Sequence, residues 1–147
     1  MAKPFEFQLE HVLHYRRQQE EQARLELAQA QNAYQAQIRV LDGLRQKVQQ
    51  AEKHLKSQDN WPSEELWLWT IFRERLLQDI DDNELQLQRL ATRVAACRTV
   101  LVQRSKELKV LERLKTKQAV EYYAQQKREE QKQLDEMASL RHQYKGI

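Results

Sequence analysis

Apolar residues recur along this chain in alternating steps of four and three, in two stripes separated by one polar break. The first stripe passes through Leu9, Leu13, Arg16, Glu20, Ala23, Leu27, Ala30, Tyr34, Gln37, Leu41, Leu44, Val48, Ala51 and Leu55. The second passes through Leu66, Trp69, Arg73, Leu76, Ile80, Asn83, Leu87, Leu90, Val94, Cys97, Leu101, Arg104, Leu108 and Leu111. Steps of this kind keep one helical face toward a partner, and a pattern held well past four heptads marks a coiled coil.

The break, Lys56-Ser57-Gln58-Asp59-Asn60-Trp61-Pro62-Ser63, gathers the residues that favour turns over helices. Ser63 is suited to cap the helix that follows, and Glu64 and Glu65 then sit where the helix dipole favours negative charge. Pro4 suits a helix start near Phe5, and after Ser63 no strong stop appears before Gly146. The expectation is one domain over residues 1–147, with a helix over about 5–56, a loop over about 57–63 and a helix over about 64–144. So short a linker favours folding the second helix back on the first. The predicted fold is all-α: an antiparallel two-helix coiled-coil hairpin, with the longer second helix overhanging at the C-terminus.

One antiparallel register satisfies both stripes. It sets Leu55 opposite Trp69, Val48 opposite Leu76, Tyr34 opposite Leu90 and Ala23 opposite Leu101. It also brings Glu20 opposite Arg104, seam residues of opposite sign. Their pairing is expected to help fix the alignment, at some cost in stability. The alternative is that each reaches to water independently.

Composition sharpens this picture. Charged residues make up 32% and aromatics 7%, with only two glycines and two prolines, a balance typical of long helices. The net charge of +3 comes from signs mixed along the whole length, without the basic block of a nucleic-acid binder. Cys97 is the single cysteine, so a reducing compartment fits and no disulfide framework exists. No apolar run approaches the ~20 residues that span a bilayer. The first residues, Met1-Ala2-Lys3-Pro4-Phe5-Glu6-Phe7, lack an apolar signal region, which leads to the expectation of a cytoplasmic protein.

Two features exceed a generic hairpin. In the expected register the first helix is exhausted when the second reaches about Ala119, leaving Tyr122, Leu134, Met137 and Leu140 on an unpartnered helix. That overhang either docks into a groove supplied by another protein or is a solvated tail. Near the loop, Trp61, Trp67, Leu68, Trp69, Ile71 and Phe72 supply more apolar bulk than a two-helix structure can bury. Trp67, Ile71 and Phe72 are expected to face outward as a partner site, unless Trp61 and the loop fold over Trp67.

Catalytic signals are absent. Gly43 and Gly146 cannot build a phosphate-binding loop. His11 and His14 lack a third ligand for zinc. The carboxylates lie on helices without a cleft to shift their pKa values. Cys97, between Val94 and Leu101 in the seam, reads as an inert buried thiol. No metal, cofactor or catalytic residue is expected.

Two stretches resemble the FliJ family of flagellar type III export proteins. The N-terminal one is Phe5-x-Phe7-x-Leu9-x-x-Val12-Leu13-x-x-Arg16, continued by Glu20-Glu21-x-Ala23-x-x-Glu26-Leu27-Ala28. The C-terminal one is Leu111-Glu112-x-Leu114-x-x-Lys117, followed by Arg128-Glu129-Glu130-Gln131-Lys132-x-Leu134-Asp135-Glu136-x-Ala138. The middle of the chain matches in character more than in sequence.

The resemblance implies a non-enzymatic coiled coil, similar to the central shaft of rotary ATPases, that links the ring of the export ATPase FliI to the export gate. It further implies contact with the cytoplasmic part of the gate protein FlhA and exchange of export chaperones, at the inner face of the cell membrane. Phe72 and Leu76 fall in the segment matching the family's gate-binding surface, beside Trp67 and Ile71. Arg128, Gln131, Lys132, Asp135 and Glu136 become candidates for the contact with the ATPase ring. Two rival readings share the hairpin: the stalk of an injectisome-type secretion system, and a nucleic-acid-binding coiled coil whose binding would weaken steeply with salt.

Overall fold

A computed structural model describes residues 3–145. Two helices make up the fold: α1 over Glu10–Lys56 and α2 over Ser63–Lys145. They fold back on each other as an antiparallel hairpin. Every position of the two predicted stripes is buried or half-buried except Leu9 and Leu66, so the heptad spacing is the packing seam. Leu9 lies in the turn ahead of α1, and Leu66 lies level with the loop, where α1 has already ended and offers nothing to cover it.

α1 begins at Glu10, not near Phe5 as Pro4 suggested. Residues 3–9 are non-helical, and Phe7 is buried. The Glu10 amide donates to the Phe7 carbonyl at 3.1 Å, and the Leu13 amide to the Leu9 carbonyl at 2.9 Å. Side-chain burial along this stretch outweighs the local preference for a helix start. The predicted helix stop at Gly146 lies outside the described residues.

The loop closes α1 with its own side chains. The Trp61 indole N–H donates to the Leu55 carbonyl at 3.1 Å, and the Ser57 hydroxyl to the His54 carbonyl at 2.6 Å. These satisfy acceptors that a helix end leaves without an internal partner. Lys53, His54 and Lys56 in the last turn of α1, and Glu64 and Glu65 in the first turn of α2, complement the two helix dipoles.

The chain packs as two compact units. One is Gln22–Val102, the loop-bearing part of the hairpin. Its core joins Leu41, Val48, Leu76 and Ile80, with Leu44 and Leu87 packed against them. Gln37 and Asn83, both seam positions, form a polar layer: the Gln37 amide N–H donates to Asn83 Oδ1 at 2.7 Å and to its carbonyl at 3.1 Å. Arg73 closes on Glu52 Oε1 through Nε at 3.1 Å and Nη2 at 3.0 Å.

The second unit combines the beginning of the chain up to Glu21 with the stretch from Gln103 onward. Leu13 is fully buried there. Ion pairs join the two helices: Arg16 Nη1 to Glu107 Oε2 at 2.6 Å, and Lys115 Nζ to Glu10 Oε2 at 2.9 Å. The chain ahead of α1 then continues the contact with α2 as far as Gln126.

Candidate partner-binding surfaces

The first surface lies on the opening turns of α2. Trp67 is 63% exposed, and Leu68, Ile71 and Phe72 are exposed beside it. Trp69, two residues after Trp67 and on the seam side, is half-buried and packs on His54, with ring centroids 4.4 Å apart. Phe72 meets the edge of Trp69 at 5.7 Å in a T-shaped arrangement. Leu68, Trp69 and Phe72 outline a shallow apolar notch. Trp61 does not fold over Trp67: its ring packs tilted against His54, with centroids 5.0 Å apart, and it caps α1.

Leu76, grouped with these residues in the sequence, sits differently. It is 6% exposed, inside the core with Leu41, Val48 and Ile80. Its upper edge lines a groove with Leu44, Ala51, Trp69 and Phe72. Leu76 therefore holds the turn of α2 from which Phe72 projects, because its heptad position points inward.

The second surface is the end of α2. Every side chain from residue 127 to 144 is exposed, including Arg128, Gln131, Lys132, Asp135 and Glu136. Gln131 Nε2 donates to Asp135 Oδ1 at 3.2 Å one turn along. Leu134, Met137 and Leu140 stand exposed among these polar groups. Leu134, Met137, Ala138, Arg141 and His142 line a shallow depression.

Arg104, one member of the pair expected with Glu20, donates through Nη1 to Gln19 Oε1 at 3.3 Å and to Glu107 Oε2 at 3.5 Å. Arg16 Nη1 also reaches Gln19 Oε1, at 3.2 Å. Glu20, next to Gln19, is buried at 8% exposure. Glu107 receives Arg16, Arg104 and the Gln103 amide. The Gln103 hydrogen bond and the charges of Arg16 and Arg104 hold its carboxyl below the ordinary 4.5, against a smaller opposing effect of burial.

Sequence reasoning missed three of these contacts. Gln37 and Asn83 were visible as polar seam residues, but they lie one turn off direct opposition, within reach of a glutamine side chain. Glu52 and Arg73 show opposite charges at near-register positions. The contacts of Lys3 and Phe5 with Tyr122 left no signal, because they depend on non-helical chain where a helix was expected. His14 Nε2 lies 3.2 Å from the Gln18 amide nitrogen. Among the described residues, no group of three or more His, Cys, Asp or Glu side chains is placed to hold a metal.

The class these observations define is an all-α coiled-coil hairpin, with apolar surface left open at the start of α2 and mixed surface at its end. The family model described as flagellar FliJ protein matches residues 5–146. The chain belongs to the FliJ family and is a non-enzymatic component of the flagellar type III export apparatus. No curated protein and no solved structure gives a significant match. Family members are cytoplasmic, peripheral components of that membrane-embedded apparatus. Among the described residues, no helix is long and apolar enough to cross a membrane.

Proposed function

We propose that this chain acts as a stalk and adaptor within the export apparatus, holding the export ATPase FliI and the cytoplasmic part of the gate protein FlhA, and aiding the cycling of export chaperones. The observation that carries this reading is the exposure of Trp67, Leu68, Ile71 and Phe72 together on adjacent turns of one helix, in a chain of this family. Large aromatic side chains anchor interfaces because they bury much area at little entropic cost. On this reading Trp67, Ile71 and Phe72 contact the gate, and Leu76 holds their turn of α2 in place.

The ring contact falls to Arg128, Gln131, Lys132, Asp135 and Glu136, with Leu134, Met137 and Leu140 supplying apolar area between them. Glu20 and Arg104 belong to the polar layer that keeps α1 and α2 in register while both partners are held. The test is a pull-down with purified ATPase and gate cytoplasmic domain. Trp67→Ala combined with Phe72→Ala should weaken gate capture at least about tenfold and leave ATPase capture unchanged. Truncation after Gln126 should do the reverse. Unchanged gate capture by the double variant would refute the assignment of the first surface, and unchanged ATPase capture by the truncated chain that of the second.

A further inference from the structure

The residues ahead of α1 bond to α2 through the Lys3 carbonyl and the Phe5 amide. The Lys3 carbonyl accepts hydrogen bonds from the Tyr122 hydroxyl at 2.5 Å and from Gln126 Nε2 at 3.3 Å. Gln126 Nε2 also donates to the Tyr122 oxygen at 2.8 Å, so that hydroxyl donates to Lys3 while accepting from Gln126. The Phe5 amide points at the Tyr123 hydroxyl at 3.4 Å. The Phe5 ring lies 5.7 Å from that of Tyr122, and Phe7 is buried.

Extended chain advances about 3.3 Å per residue and a helix about 1.5 Å. Residues 3–7 are non-helical ahead of a turn at 8–9, so the stretch is free to reach farther along α2 than a helix would, and Lys3 contacts Tyr122 and Gln126 where the register of a helix begun at Phe5 stops near Ala119. Beyond Gln126 every side chain through residue 144 is exposed. A helix with no lateral contact is marginal in water, so the last lateral contacts decide where α2 becomes self-supporting.

We infer that residues 3–9 form a strap that docks on Tyr122, Tyr123 and Gln126, releases without opening the hairpin, and when docked holds α2 helical at the base of its overhang. The bonds of the strap are few and largely exposed, and they lie near a chain end, which places them among the first to open. Release uncovers Phe5, Phe7 and Tyr122 and leaves α2 without a neighbour beyond about Lys115, which pairs with Glu10 at the start of α1. Strap docking and overhang order are thus coupled.

Hydrogen exchange on the full chain tests this, with Phe5→Ala and Tyr122→Phe as the variants. Phe5 lies outside α2, so its replacement reaches α2 amides only through the strap. Both variants should speed exchange of amides 119–130 by about tenfold, with the amides of Gln22–Val102 unchanged. The combined variant should exchange little faster than either alone, because each change releases the same strap. Unchanged exchange at 119–130 in Phe5→Ala, or equal acceleration throughout the chain, would overturn the inference.

Discussion

Glu107 shows how a charge is held on a protein with so little interior. Its carboxylate accepts from Gln103, Arg16 and Arg104, and its proton affinity falls accordingly. A carboxyl whose folded pKa lies below its unfolded value stabilises the fold above the unfolded value, and this contribution is lost as pH falls through the folded one. Glu107→Gln should therefore lower the melting temperature slightly at pH 7. The difference should vanish as pH falls well below 4.5, the ordinary value of the group. Thermal melts of both proteins between pH 3 and pH 7 (about one pH unit apart) check this; a difference that grows in acid would contradict it. The effect is modest because Arg16 and Glu107 keep roughly a third of their side-chain surface in water, at 33% and 28%, and solvent screens such pairs. The exposed aromatic residues follow another rule. Trp67 contributes little to the fold it stands on, so its replacement separates binding from stability.

At the scale of the helices, α1 carries one inconsistency. Gly43 sits inside the helix with a negative φ, and a methyl group added there would meet nothing within 4 Å. Glycine costs a helix interior about 1 kcal/mol relative to alanine. Gly43→Ala should stabilise the protein by about 0.5–1 kcal/mol, read as a higher denaturant midpoint with unchanged slope. A lower midpoint would contradict this. The elements themselves were legible because heptad spacing repeats over many turns, and the loop because Asn60, Pro62 and Ser63 interrupt it. The start of α1 was not legible. Pro4 permits a helix there, but the chain that buries Phe7 and places Phe5 against Tyr122 is non-helical, a choice made with residues more than a hundred positions away. The inward position of Leu76 was already implied by its place in the seam stripe.

For the molecule as a whole, the two helices satisfy each other and still leave the two ends of α2 uncovered. Removing residues 127–147 deletes described side chains that touch nothing else across the hairpin. The truncated chain should unfold within about 0.5 kcal/mol of the full protein, while its far-UV helical signal falls and ATPase capture is lost. Truncation after Ala119 is a different experiment, because it also removes Tyr122 and Gln126 and so the seat of the strap. A large stability loss on cutting after Gln126 would show that the overhang folds back on the hairpin.

The amino-acid sequence alone determined that this chain forms two long helices joined near Pro62, in a register set by its stripes, because hydrophobic spacing is a local and repeated property. Its terminal motifs also pointed to the family that the matching model identifies over residues 5–146. Tertiary structure alone decided that Trp61 caps α1 instead of covering Trp67, that Gln37 bonds Asn83, and that the chain ahead of Glu10 leaves the helix to contact Tyr122, Tyr123 and Gln126. Each of those outcomes is a contact between residues whose separation no periodicity encodes, and it exists only once the hairpin has brought them together.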